Sequence, residues 1–244
     1  MKGVVMCGGI GTRMRPLSYY IQKAMIPIGR REKPLLEYAV RLLAHYKIDE
    51  IFLLADYKQE QIANYFGDGS RFNVTISYLK DDPNIKGSLG ALLNADKKGF
   101  LKPEDNFLVY YGDIISNINL GELMRLHREK GATATLALSP KYPVPVGVAE
   151  VEHGRVVEFL EKPDFGRPVS IGMLALNGKV LDEQVNAYKK ELDIMGDLIP
   201  HLIHKSEPVY PYLTDAFWYD VGFLEKYEKL NDDILEEKLG FLFS

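Results

Sequence analysis

A single cysteine, Cys7, stands among the 244 residues, so no internal disulfide can staple this fold. No excess of basic charge is present either. Thirty Lys and Arg face 34 Asp and Glu, the net charge is −4, and no run of like charge forms a tail. The electrostatic footprint of a nucleic-acid-binding protein is therefore missing. The longest apolar stretches fall far short of a membrane span. The apolar run from Gly3 to Cys7 breaks at once into a Gly-rich loop, where a secretory signal needs a longer apolar stretch and a cleavage site. Repeats and low-complexity segments are also absent. What is there is 46% hydrophobic residues, enough for one large α/β domain or two small ones. The expectation is a soluble, cytoplasmic protein with neither nucleic acid nor membrane as a partner.

Strand-like and helix-like runs alternate over residues 1–138. Lys2–Cys7 reads as a short strand ending in Gly8-Gly9-Ile10-Gly11. Pro34 suits the first turn of a helix that carries Leu35, Leu36, Ala39, Leu42 and Leu43 on one face. Glu50–Ala55, Phe72–Leu79, Asn106–Tyr111 and Ala132–Leu138 read as strands. Gln59–Phe66, a segment capped by Ser88 and running to Lys98, and Leu120–Lys130 read as helices, each followed by glycine. This order predicts an α/β fold: a Rossmann-like mixed, mainly parallel sheet with helices on both faces. After Ser139 the pattern turns β-rich. His153-Gly154 reads as a hairpin turn between Gly147–Val151 and Arg155–Phe159. Short strands follow near Ser170–Leu176, Pro208–Leu213 and Ala216–Tyr219, and one helix is expected over about Gly222–Glu237. No clean linker appears, so a single domain over 1–244 is expected, with its second half covering an edge of the sheet.

Gly8-Gly9-Ile10-Gly11-Thr12-Arg13 follows the first strand directly. In open α/β sheets ligands bind beyond the carboxyl ends of the strands. Glycines there let backbone amides approach phosphate oxygens, and a guanidinium offers a planar, permanently charged fork. A Walker loop would end in Gly-Lys-Ser/Thr, which is absent here, and a dinucleotide fingerprint would need glycine where Met14 stands.

The longer string is more specific. The loop, Arg15-Pro16-Leu17-Ser18, Lys23-Ala24-Met25-Ile26-Pro27 and Lys33-Pro34 together resemble the signature of the sugar-1-phosphate nucleotidylyltransferases. Tyr111-Gly112-Asp113, Val146-Gly147-Val148, Phe159-Leu160-Glu161-Lys162-Pro163, Ser170-Ile171-Gly172-Met173 and Trp218-Tyr219-Asp220-Val221-Gly222 resemble further blocks of that family. Two positions depart from it: Gln22 replaces a proline before the lysine, at an expected cost in local rigidity, and Ser170 replaces an asparagine.

The resemblance implies a nucleotide-binding half (1–138) and a sugar-phosphate-binding half (139–244). It implies transfer of a nucleoside monophosphate from an NTP to a sugar 1-phosphate, with Mg²⁺ held by Asp113 and Asp220. Arg13 would hold the leaving pyrophosphate, Lys23 would stabilise charge at the α-phosphate, and Lys162 would aim the sugar phosphate. Gly8, Gly9, Gly11, Thr12, Arg13, Ser88 and Gly90 would bind the nucleotide. Gly147, Glu161, Lys162 and Ser170 would bind the sugar phosphate. Gly87-Ser88-Leu89-Gly90-Ala91 resembles the guanylyltransferase branch, which favours GTP with mannose 1-phosphate over UTP or dTTP with glucose 1-phosphate. A sugar-nucleotide-binding regulator without turnover is the distant alternative. No hexapeptide repeat follows the last block, so no C-terminal β-helix is expected. The apolar tail Leu239–Phe243 fits either the protein's own core or a homo-oligomer interface.

Overall fold

The structure, a computed structural model, describes residues 1–182 and 190–243. In chain order the strands are β1 (Lys2–Met6), β2 (Pro27–Ile28), β3 (Lys33–Pro34), β4 (Glu50–Leu54), β5 (Thr75–Leu79), β6 (Asn106–Tyr111), β7 (Ile114–Ser116), β8 (Ala134–Ser139), β9 (Val148–Glu152), β10 (Arg155–Leu160), β11 (Val169–Asn177), β12 (Val209–Leu213) and β13 (Trp218–Asp220). The helices are α1 (Leu35–His45), α2 (Gln59–Phe66), α3 (Gly87–Lys97), α4 (Leu120–Glu129), α5 (Ile199–His204), α6 (Leu224–Glu228) and α7 (Asp232–Leu239).

Seven strands form the main sheet in the order β12-β8-β11-β6-β1-β4-β5. β1 pairs in parallel with β4 and β6, and β4 with β5, while β11 runs antiparallel to both neighbours, β6 and β8. The mixed, mainly parallel sheet expected from the alternation is present. Successive side chains of a strand point to opposite faces. Val5, Ile51, Leu53, Leu108 and Tyr110 accordingly join one buried cluster with α1, α2, α4 and α7, whereas Val4, Phe52, Leu54, Phe107 and Val109 join another with α3 and α5.

The second half differs from its expected place. It does more than cover an edge, because β11 lies inside the sheet between β8 and β6, while β12 forms the edge opposite β5. β12 tolerates Pro211 for that reason, since an edge strand has a side that needs no donor. His153 and Gly154, with φ of 48° and 75°, turn the β9–β10 hairpin, and every residue of both strands is exposed. The single helix expected over 222–237 is two helices. Asn231 separates them, its side chain accepting from the amides of Asp233 and Ile234 and so capping α7. Ser88 caps nothing: α3 begins at Gly87 after Lys86. The tail packs on the protein's own core, with Leu239 and Leu242 buried and Phe243 edge-on to Tyr38 at 5.0 Å. Among the described residues no helix is long and apolar enough to cross a membrane.

Candidate active site

The loop after β1 passes over the carboxyl end of the sheet. Among the described residues, the amides of Gly8 through Arg13 find no acceptor within the chain. Gly11 has φ of 70°, and a Cβ there would lie 3.1 Å from Lys23 Cβ, so the loop and the lysine turn pack back to back. The Ser18 hydroxyl donates to Gly11 O at 2.7 Å and holds the loop from below. Thr12 and Arg13 are exposed, and the Arg13 guanidinium lies 4.1 Å from the centre of the Phe223 ring.

Lys23 begins a short 3-10 helix, Lys23–Met25, capped by the side chain of Gln22. Gln22 is buried; its Nε2 donates to Cys7 O and its Oε1 accepts from the Ala24 amide, both at 2.5 Å. Its own amide donates to Gln61 Oε1 at 2.7 Å. The loss of rigidity expected from the missing proline does not occur, because these three hydrogen bonds fasten the lysine turn to β1 and α2. Lys23 Nζ is thereby brought 2.5 Å from Asp113 Oδ2.

Asp113 and Asp220 come together through a ladder that the sequence pattern does not reveal. β13 pairs antiparallel with β7, setting Asp220 opposite Ile114, and the Val221 amide donates to Asp113 O at 2.9 Å. Each carboxylate has its own ammonium: Lys23 on Asp113, and Lys226 Nζ 3.1 Å from Asp220 Oδ2. Gly222 makes room, since a Cβ there would sit 2.7 Å from Asp220 Oδ1.

Both aspartates line a cavity of about 440 Å³ together with Arg13, Tyr111, Tyr142, Ser170, Gly172, Asp193, Met195, Trp218 and Lys226. A smaller pocket of about 60 Å³ joins Gly9, Gln22, Lys23 and Gly112 to the same Asp113. A cavity of about 450 Å³ between Arg41, His45, Lys47, Arg71 and Phe241 contains none of the motif residues.

Other expected site residues take different positions. Gly8 packs beside Asp81, whose Oδ2 would lie 3.2 Å from a Cβ at position 8. Burial, and then the charge of Asp56, raise the Asp81 carboxyl above its ordinary pKa. The Ser88 hydroxyl donates to Asp193 Oδ2 at 2.7 Å and accepts from the Ile194 amide at 2.9 Å, so it ties α3 to the 194–198 turn. Gly90 has a packing reason of its own, because a Cβ there would lie 2.5 Å from Ile85 O. Gly147 lies against the Phe159 ring. Glu161 and Lys162 follow β10 with side chains 66% and 64% exposed, outside the lining of the cavity that holds the two aspartates. His127 is buried, between Thr135 Oγ1 at 3.0 Å and Asn106 Oδ1 at 3.1 Å, and belongs to the core.

Sequence reasoning missed Tyr142, Asp193 and Lys226. Tyr142 stacks on Trp218 with ring centres 6.0 Å apart, a meeting that only the fold creates. Asp193 had a readable signal, an Asp three residues before a glycine at a helix start, and its Oδ1 accepts from the Gly196 amide at 2.7 Å. Among the described residues no group of three or more His, Cys, Asp and Glu could hold a metal by itself.

Residues 2–237 match the family of nucleotidyl transferases, and the chain belongs to that family. It is 31% identical to the UTP–glucose-1-phosphate uridylyltransferase of Synechocystis, over 98% of this chain and 64% of that protein. It is 29% identical to the mannose-1-phosphate guanylyltransferase of Mycobacterium tuberculosis, over 95% of this chain and 64% of that one. The chain thus spans a little under two thirds of each relative. A crystal structure from Bacillus anthracis shares the fold, with a TM-score of 0.76 and 23% identity over 94% of this chain and 93% of that one.

Proposed function

We propose that this chain transfers a nucleoside monophosphate from an NTP to a sugar 1-phosphate and releases pyrophosphate. The observation that carries this is the run of unpaired amides from Gly8 to Arg13 beside the Lys23–Asp113 pair, at the strand end where backbone donors and fixed cations receive phosphate. An oxygen of the sugar phosphate attacks the α-phosphorus. As that bond forms, the bond from the α-phosphorus to the bridging oxygen breaks, and the electron pair leaves with pyrophosphate. No covalent protein nucleophile is needed, so the chain positions the reactants and neutralises charge. The loop amides and Arg13 hold the leaving group, and Lys23 faces the α-phosphate. Ser170 and the neighbouring cavity wall receive the sugar. Gly147, Glu161 and Lys162, beside the β9–β10 hairpin, meet the sugar phosphate.

The donor set fits Mg²⁺. Asp113 and Asp220 line one cavity and supply hard carboxylate oxygens there. These two residues would hold the ion, whose charge would be shared with the phosphates that complete its shell.

For the base, we favour GTP, with mannose 1-phosphate as acceptor. The support is Asp81 beside Gly8, which has no hydrogen-bonding partner among the described residues. A carboxylate can accept from both N1–H and N2–H of guanine. Uracil and thymine offer one N–H between two carbonyl oxygens, which a carboxylate repels. Pyrophosphate release measured over all NTPs with mannose and glucose 1-phosphates tests this reading. GTP with mannose 1-phosphate is expected to be fastest. Faster release from UTP or dTTP with glucose 1-phosphate transfers the assignment to that pair, and no release from any pair removes the activity.

A further inference from the structure

Lys23 belongs to the signature string, but Lys226 belongs to no motif, and yet the two hold equivalent places. Each ammonium contacts one of the two aspartates, at 2.5 Å on Asp113 and 3.1 Å on Asp220. Lys226 is carried on α6, and its carbonyl accepts from the Tyr219 hydroxyl at 2.8 Å, which fixes its backbone beside β13. Its side chain is 36% exposed and lines the cavity that holds both aspartates. Its Nζ lies 5.6 Å from the centre of the Phe223 ring, the ring that also carries Arg13 at 4.1 Å.

An ammonium and a divalent cation repel each other strongly when both approach one carboxylate. One must leave, and the long flexible stem of lysine lets its point charge move without disturbing the backbone. Arg13 shares the Phe223 ring and the cavity lining with Lys226, which makes the space beside it a destination for the displaced ammonium. We propose that Lys226 is an exchangeable counter-ion of Asp220: it holds the carboxylate in the free protein, yields it to the divalent cation that enters with substrate, and moves to the pyrophosphate portion of the triphosphate beside Arg13. The proposal rests on the reading of Asp113 and Asp220 as the metal pair. It explains how the free protein keeps two aspartates at one site and why metal binding would be coupled to phosphate binding. A partly exposed ion pair of this kind adds little to stability, so its removal leaves the fold intact.

The test uses the whole chain and reads binding, so it stands even if no substrate pair turns over. Free Mn²⁺ is counted by electron paramagnetic resonance in the absence of nucleotide, and Mg²⁺-pyrophosphate binding is measured by calorimetry. Lys226→Met is expected to bind Mn²⁺ about five- to tenfold more tightly than the parent and pyrophosphate at least tenfold more weakly. Lys226→Arg, which keeps the charge, is expected to restore Mn²⁺ affinity to within about twofold. Asp220→Asn combined with Lys226→Met is expected to abolish the gain. Unchanged or weaker Mn²⁺ binding in Lys226→Met overturns the counter-ion role, and unchanged pyrophosphate binding overturns the transfer to phosphate. Tight Mn²⁺ binding in Lys226→Met with no turnover by the parent would refute the proposed reaction and leave the counter-ion role standing.

Discussion

Arg13 lies exposed over the face of Phe223 and makes no ion pair among the described residues. A cation–π contact at an exposed site contributes about 0.5–1 kcal/mol. Arg13→Ala is therefore expected to keep its melting temperature within a few degrees while kcat/KM falls by roughly 10²-fold or more, the scale of one lost charge-stabilising donor. Calorimetry and pyrophosphate-release kinetics on the same preparation check both halves, and near-normal turnover would remove Arg13 from the reaction. Asp113 and Asp220 meet across one ladder and line one cavity, so they are expected to act as a unit. Asp113→Asn and Asp220→Asn should each abolish most turnover, and the double variant should lose little more than either, because groups acting together are not additive. A double variant slower by the product of the two single losses would show them working independently. These residues were legible because long strings of neighbours specify them. Tyr142 was not, since what marks it is a stack on Trp218, distant in the chain; Lys226 pairs with the nearby Asp220 but belongs to no motif string.

Gln22 shows how an element can replace what a residue type would have given. Proline stiffens a turn through its own ring. Here a buried amide side chain stiffens it through bonds to Cys7 O and the Ala24 amide, while its backbone answers Gln61. Gln22→Ala leaves buried polar groups unsatisfied, and each such group costs about 1–3 kcal/mol. The variant is expected to lose stability on that scale in urea titration and to lose turnover as Lys23 loosens; a stability within 0.5 kcal/mol of the parent, itself the ordinary range for surface changes, would show that water takes over these bonds. Most elements were readable from periodicity and from glycine. The β9–β10 hairpin was read from His153-Gly154, and positive φ at both residues is what such a tight turn demands. β7 and β13 were harder, being three residues each with no alternation to betray their pairing. The break at Asn231 was missed because apolar residues continue on both sides of it, and only the capping side chain ends one helix and starts the next.

Across the whole molecule, stability is expected to depend on pH through His127, which lies where α4 meets the sheet. Asn106 Oδ1 can only accept, so Nε2 of His127 carries the proton and Nδ1 accepts from the Thr135 hydroxyl. Burial, and then the charge of Arg128, lower its pKa from 6.5 to about 4. The folded protein thus binds this proton less readily than the unfolded chain does. The neutral ring's contribution is complete above about pH 6.5 and is lost as pH falls toward 4, amounting to about 2–3 kcal/mol by pH 4.5. His127→Gln, which does not titrate, is expected to flatten the fall in stability between pH 6.5 and 4.5 measured by urea unfolding. An equal slope in variant and parent would assign the effect to other groups.

The β7–β13 ladder also bears on the order in which the protein can be made. The Ser116 hydroxyl donates to Phe217 O across 101 residues of chain, next to the place where Asp220 joins Asp113. During synthesis the phosphate loop, Lys23 and Asp113 leave the ribosome early, and closing so long a loop must wait for its far end. A growing chain that stops short of Trp218 carries the Gly8–Arg13 loop, Lys23 and Asp113 but lacks Asp220. Under the proposed function, the aspartate pair is completed last, when the far end of the chain docks on β7.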